Sequence, residues 1–230
     1  MKKIALLALA ALFALPLSAQ DEEELDNVLF TSANDVVRFE VLSHIGYGYH
    51  FVKSPDFQSR MSDEYFLNIV KLGIYPVDAL AIELGLDVDL SDFGSRTHAF
   101  MQSQDRLIQS REFSLLEQGT LDRHYGSFTI ASLNVPLLLK LHAGSFWIGG
   151  GAVGSLNMWG RTYYAYRQQY REVAVTERRA RINTFTFSLV ATLGFDSFGL
   201  YFKYYPRTSR LLPDGSVDMS YMTLGAVLDF

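Results

Sequence analysis

The sequence predicts an all-β fold, an eight-stranded antiparallel up-and-down transmembrane β-barrel. Three observations predict it. The amino terminus has the order of residues found in export signals, and the rest of the chain contains eight segments in which apolar and polar residues alternate. The connections between these segments are short and long in turn.

Residues 1–19 predict a cleavable signal peptide. Two lysines precede the uninterrupted apolar run Ile4–Leu15, and the small-residue cleavage site ends at Ala19. This order of charged, apolar and small residues directs a protein to export. We therefore expect a bacterial outer-membrane protein, in which residues 20–35 form an acidic periplasmic lead-in and residues 36–230 form the barrel domain.

Eight segments alternate with a period of two, which places their apolar residues on one face of a strand. The predicted strands are 36–50, 65–75, 80–90, 127–141, 146–159, 185–195, 198–205 and 219–230. Two residues mark the apolar face of each strand, except in the fifth, which is the Gly-rich run from Phe146. In chain order the pairs are Phe39 with Tyr47; Phe66 with Val70; Leu84 with Leu86; Leu133 with Leu137; and, after the fifth strand, Phe187 with Leu193; Phe198 with Phe202; and Met222 with Leu228. Pro136 cannot donate a ladder hydrogen bond, so we expect a bulge or an early strand end there.

The connections after strands two, four and six are short, whereas the others are longer. The two longest, 91–126 and 160–181, are polar, and residues 91–126 show no strand pattern. Outer-membrane barrels have short periplasmic turns, longer extracellular loops and aromatic girdles at both interfaces. We expect Trp147 and Trp159 in these girdles. A secreted, soluble barrel or sandwich with its apolar face inward is the alternative fold.

The composition excludes several classes of function. The chain has no cysteine, which excludes a lipid-modified cysteine, disulfides and thiol chemistry. A formal net charge of −5 argues against nucleic acid as a partner. The five histidines lack metal-ligand spacing, so we expect no metal, no cofactor and no catalytic residues.

Residues 133–154 resemble one family of membrane proteins. The run Leu133–Lys140 contains Val-Pro-Leu-Leu, and the Gly-rich run Phe146–Gly154 follows it. This pair of segments is similar to the central strands of the PorT-like outer-membrane β-barrel proteins, often described as porin-family proteins. The resemblance implies the fold and the outer-membrane location, and it implies no defined chemistry.

Charged residues on the polar faces predict a network inside the barrel. The interior of an eight-stranded barrel is just wide enough for side chains to fill. An unpaired charge there costs several kcal/mol, so we expect ion pairs that plug the lumen. The predicted network consists of Arg38, Glu40, Lys71, Glu83, Asp87, Lys140 and Lys203. A proton or ion path is the alternative.

A tyrosine- and arginine-rich segment is the candidate ligand site, in a predicted extracellular loop. It contains Tyr163, Tyr166, Arg167, Tyr170 and Arg171. Tyrosine and arginine dominate binding hot spots, and arginine binds phosphate and carboxylate groups with two hydrogen bonds. Lipopolysaccharide or surface glycans are the expected ligands. Alternatively, the tyrosines extend the aromatic girdle and the arginines contact lipid headgroups.

The expected role is that of a non-enzymatic barrel, embedded in outer-membrane lipid, that serves surface recognition or envelope integrity. Three alternatives stay open. The first is a small pore for ions or solutes, and the second is an accessory barrel of a secretion or surface-assembly machine with other envelope proteins as partners. The third is a hydrolase or acyltransferase at the rim that uses His98 or His124.

Overall fold

A computed structural model of the chain describes residues 37–54, 62–77, 79–116, 124–168 and 171–230. The predicted signal peptide, the acidic lead-in and Tyr170 lie outside the described residues. The described strands are β1 Val37–Val41, β2 His44–Lys53, β3 Asp63–Val77, β4 Leu80–Ser95, β5 His98–Gln102, β6 Ile108–Glu112, β7 Tyr125–Ala143, β8 Phe146–Gln168, β9 Arg171–Arg178, β10 Phe185–Phe195, β11 Phe198–Tyr204 and β12 Ser220–Asp229. The helix assigned within these ranges is the 3₁₀ turn Phe113–Leu115, and none there is long and apolar enough to cross a membrane.

Eight strands form a closed ring. In chain order these are β2, β3, β4, β7, β8, β10, β11 and β12, and each pairs antiparallel with the next. The ring closes because β12 pairs with β2, from Ser220 opposite Lys53 to Asp229 opposite His44. Closure pairs both edges of every ring strand, which removes the exposed edges that promote aggregation. The predicted all-β class and the eight antiparallel strands are confirmed.

The two ends of the ring differ. At one end, two-residue turns join β7 to β8 and β10 to β11, and Gly144 and Asp196 adopt left-handed φ angles of 63° and 47° within them. At the other end, longer segments connect β4 to β7, β8 to β10 and β11 to β12. We call these the short-turn end and the long-connection end.

The two longest connections contain strands, so the prediction that residues 91–126 show no strand pattern is wrong. The strands β5 and β6 form a hairpin, and β8 continues to Gln168, where it pairs with β9. Strand β5 is hard to predict because its adjacent residues Ala99 and Phe100 are both buried, so apolar and polar residues do not alternate along it. In strand β9, one face carries two valines and Glu177, which is a weak apolar pattern.

One irregularity, in β3, changes which residues face inward. Strand β3 has a register shift against β4 between Asn68 and Val70, which leaves Ile69 unpaired and reverses the alternation. Phe66 is therefore buried inside the ring, whereas Val70 lies opposite Leu86 on the outer face. The prediction that Phe66 and Val70 share one face is wrong for this reason.

The bulge predicted at Pro136 is absent. The register of β4 against β7 is the same on both sides of the proline, with Leu84 opposite Leu137 and Asp87 opposite Asn134. Strand β7 keeps its register at Pro136, and only its pairing with β4 next to the proline is lost. The shift in β7 instead lies between Ala131 and Ser132, where β8 has an extra residue.

Candidate functional site

The outer face of the ring is apolar. Strand β10 alternates strictly between exposed and buried residues, and its exposed positions carry phenylalanine, leucine and alanine. Leu189, at the middle of this strand, is 50% exposed. Large exposed apolar side chains on β10 and on other ring strands extend this surface, and they include Leu84, Val88, Leu90, Val135, Leu137, Leu139, Phe187, Leu193, Leu200, Phe202 and Leu224.

The inner face carries three ion pairs. Lys71 Nζ lies 2.6 Å from Glu40 Oε2, across the β1–β3 pair. Lys140 Nζ lies 2.9 Å from Glu83 Oε2, between β7 and β4. Lys203 Nζ on β11 donates to Glu64 Oε1 on β3 at 2.8 Å. These pairs involve every lysine of the predicted lumen network.

Glu64 lies inside the ring and makes contacts across it. Its strand, β3, is separated from β11 by two ring strands, so its contacts with Lys203 and Tyr201 cross the ring. The Tyr201 hydroxyl donates to the same Glu64 oxygen at 2.7 Å, and Glu64 is fully buried. Sequence reasoning missed Glu64 because the predicted strand began at Tyr65. Glu64 and Phe66 are two residues apart, so they lie on the same face of β3. Knowledge of the reversal at Ile69 would therefore have placed Glu64 in the interior together with Phe66.

The remaining members of the predicted network make other contacts. Asp87 accepts a hydrogen bond from Asn68 Nδ2 at 2.7 Å. His44 lies between two carboxylates, 3.9 Å from Asp87 and 3.7 Å from Asp229. Arg38 lies over the ring of Tyr75, with 4.7 Å between its guanidinium carbon and the ring centroid.

Trp147 fills the interior at the short-turn end. It is 5% exposed, and its indole N–H donates to the carbonyl oxygen of Asp196 at 3.3 Å. Gly194 and Gly199 make room for it, because a Cβ at either position would collide with the indole ring. The prediction that Trp147 belongs to an aromatic girdle is therefore wrong. A cavity of about 60 Å³ remains beside it, lined in part by His44, Lys71 and Lys203, with room for a few water molecules.

A separate apolar cluster fills the interior at the long-connection end. Phe93, Phe128 and Ile130 contribute from the ring, and Phe100 and Ile108 contribute from the β5–β6 hairpin. The connection between β11 and β12 adds Leu211, Leu212 and Val217. Backbone bonds hold these parts together, since Val217 N donates to Ile108 O at 2.8 Å. The hairpin and this connection together form a cap on the ring.

An aromatic group borders the cap. His50 stacks on Phe93, with ring centroids 4.6 Å apart, and its Nδ1 lies 2.7 Å from the Thr223 hydroxyl. Tyr205 stacks on Tyr221 with centroids 4.0 Å apart. Burial holds the pKa of Tyr205 well above its usual range, so this residue stays neutral.

The structure does not gather the predicted tyrosine and arginine site. Because β8 is a strand, Tyr163 and Tyr166 project to opposite faces, with Tyr163 near Tyr125 and Tyr166 against the buried Phe113. Arg167 and Arg171 are exposed near the end of the β8–β9 hairpin. Within the described ranges, two arginines are thus available to a ligand at this place.

The described histidines and carboxylates form no metal centre, since no group of three or more of them is placed to hold a metal ion. His98 bonds through Nδ1 to its neighbour Thr97 at 2.9 Å, and His124 packs against Phe113. The Nδ1 partner of His98 is a hydroxyl, whereas a catalytic triad orients its histidine with a carboxylate.

Comparisons with known proteins leave the family open. No protein-family model and no curated protein sequence matches the chain. The segment 133–154 lies in the β7–β8 hairpin of the ring. Its resemblance to PorT-like proteins stays a prediction.

Proposed function

We propose that the protein is an integral outer-membrane β-barrel whose lumen is filled by its own side chains. The apolar outer face of the ring carries this proposal. Proteins in water rarely expose a contiguous apolar patch above a few hundred Å². Here the apolar surface extends around all the ring strands, and lipid is the environment in which such a surface is stable.

The length of the ring strands supports the same proposal. A tilted strand crosses the hydrocarbon region with about 9–11 residues. Strand β10 spans Phe185–Phe195, and its outward residues are apolar from end to end. The amino-terminal export pattern supports the same location. We propose that the long-connection end faces the cell exterior and that the short-turn end faces the periplasm.

The filled interior favours a closed barrel over a pore. The Lys203–Glu64 ion pair crosses the interior of the ring, Trp147 fills one end and the cap fills the other. An open channel needs a continuous water-filled path, which these groups interrupt. The function that fits a closed barrel best is non-enzymatic, either surface recognition through the cap and hairpin or support of the envelope.

Two experiments test the proposal. Membrane fractions should contain the mature chain with outer-membrane markers, and its mobility on gels should change on heating, as that of a folded barrel does. Recovery of the folded chain in the periplasmic fraction would contradict the membrane assignment. In planar bilayers the purified protein should give no stable conductance steps, and stable single-channel steps would favour the small pore instead.

Partners are tested separately. Gentle detergent extraction with crosslinking should recover the protein with outer-membrane lipid. Recovery of envelope proteins in fixed stoichiometry would favour the accessory barrel of a secretion or assembly machine.

A further inference from the structure

A second cavity lies at the long-connection end, apart from the interior ion pairs. Its volume is about 450 Å³, within the range of about 300–1,000 Å³ that is usual for small-molecule sites. The end of β2 and the connection from β11 to β12 form its walls. The lining residues used below are Lys53, Tyr205, Arg207, Arg210, Asp218 and Tyr221.

The charge of this cavity is positive, although the chain as a whole is acidic. Three cationic side chains, Lys53, Arg207 and Arg210, line it with one carboxylate, Asp218. Arg210 pairs with Asp214 at 3.0 Å, but no described residue forms an ion pair with Lys53 or Arg207. Both side chains are exposed and can turn towards an anion in the cavity.

Part of the cavity wall is aromatic. Tyr205 and Tyr221 are stacked, and Tyr221 belongs to the buried cap cluster. The backbone around the cavity is held by the Ser54 hydroxyl, which donates to Asp218 O at 2.8 Å, and by the pairing of Ser220 with Lys53 across β12 and β2. A site that exists before its ligand arrives loses less entropy on binding.

We propose that this cavity binds an organic phosphate of about the size of a hexose phosphate. A phosphate monoester carries a charge of about −1.5 to −2 at neutral pH, which matches two unpaired cations. Arginine binds phosphate oxygens with two parallel hydrogen bonds. The cavity is large enough for the sugar ring of such a ligand to pack against Tyr205. A bare phosphate ion would not make this contact.

Two sources supply this chemistry, a dissolved sugar phosphate and the phosphorylated sugar headgroup of an outer-leaflet lipid. The inference goes beyond the proposed function, because a dissolved phosphate ester would bind whether or not the ring spans a membrane.

Calorimetric titration of the full mature chain in phosphate-free detergent tests the site. The probes are glucose 6-phosphate, glucose and inorganic phosphate. We expect glucose 6-phosphate to bind more tightly than either of the others, and to bind less tightly as salt is added. Equal binding of glucose and glucose 6-phosphate, or no binding of either, overturns the proposal.

A pair of double variants separates this cavity from general attraction to positive charge. Lys53→Ala/Arg207→Ala should weaken glucose 6-phosphate binding by about tenfold or more, because it removes both cations that have no described ion-pair partner. The control Arg167→Ala/Arg171→Ala removes the same net charge from the β8–β9 hairpin and should bind like the parent. Equal losses in both variants would overturn the assignment to the cavity.

A competition experiment then identifies the source. The protein is placed in phosphatidylcholine vesicles with or without lipid A, and glucose 6-phosphate binding is measured again. Loss of this binding only when lipid A is present assigns the cavity to the lipid headgroup. Unchanged binding assigns it to a dissolved ester, and both results support the site.

Discussion

The ion pair across the centre of the ring gives the sharpest test of the interior. Glu64 is fully buried and accepts from Lys203 and Tyr201, while Lys203 is itself buried. Lys203→Met removes the charge and keeps most of the aliphatic stem, which leaves a buried carboxylate with one hydrogen-bond donor. Glu64→Gln keeps the shape of the side chain and leaves a buried ammonium group instead.

The size of the effect follows from burial. Breaking a buried ion pair by removing one partner costs about 3–5 kcal/mol, because the other charge stays in a medium of low dielectric constant. Each single variant should therefore lower the free energy of unfolding by about that amount. The double variant Glu64→Gln/Lys203→Met should be less destabilised than either single variant, because it leaves neither Glu64 nor Lys203 charged without its partner.

Urea unfolding in lipid vesicles, followed by gel mobility without heating, measures these differences. Arg178→Met is the control, since it removes an exposed cation on β9 and should change stability by less than about 0.5 kcal/mol. Single variants that cost less than about 1 kcal/mol, or costs that simply add in the double variant, would refute the reasoning.

Three further predictions concern the outer face, the strand packing and the cap. Leu84→Arg should cost about 2–4 kcal/mol in vesicle unfolding if this residue faces lipid near the bilayer midplane, whereas Leu115→Arg, outside the ring strands, should be tolerated. Gly151→Ala should cost about 1–3 kcal/mol because the added Cβ meets the backbone of Leu137, whereas Gly154→Ala has open space and serves as its control. Phe100→Ala should cost about 3–5 kcal/mol by leaving a cavity in the cap, as measured by unfolding, and equal costs for Phe100→Ala and the exposed Leu115→Ala would contradict a packed cap.

The ring strands could be predicted from the sequence because each has one apolar and one polar face. Strand β4 shows why, since its outward residues Leu84, Val88 and Leu90 alternate with inward polar residues such as Asp87 and Asp89. The cap hairpin could not be predicted in this way. The adjacent residues Ala99 and Phe100 point to opposite faces of β5 and are both buried. Apolar and polar residues therefore do not alternate in this strand.

The interior could be predicted only in part, because one unpaired residue reverses a strand. The faces of β1, β4, β7 and β11 follow the sequence pattern, and they supply Glu40, Glu83, Lys140 and Lys203. In β3 the register shift at Ile69 changes the inward set, so Glu64 and Phe66 were not assigned to the interior. A sequence pattern alone cannot locate such a shift, since it depends on the register against β4.

The candidate ligand site was predicted from the tyrosine and arginine content of one segment. This content does not determine the direction in which each side chain points. Tyr163 and Tyr166 are three residues apart, so they converge in a helix or a compact loop and diverge in a strand. The cationic cavity gave no local signal, because Lys53 and Arg207 are far apart in sequence and meet only through the pairing of β12 with β2 and β11.

The most direct test of the central claim is the environment of consecutive residues on β10. The chain has no cysteine, so single cysteine variants at positions 187 to 193 can each carry one nitroxide spin label. In vesicles, labels at Phe187, Leu189 and Leu193 should collide with lipid-soluble oxygen and not with a water-soluble nickel complex, because these side chains face outward. Labels at Ser188, Val190 and Thr192 should show little contact with oxygen. Collision of the nickel complex with the outward positions would contradict a membrane-spanning barrel.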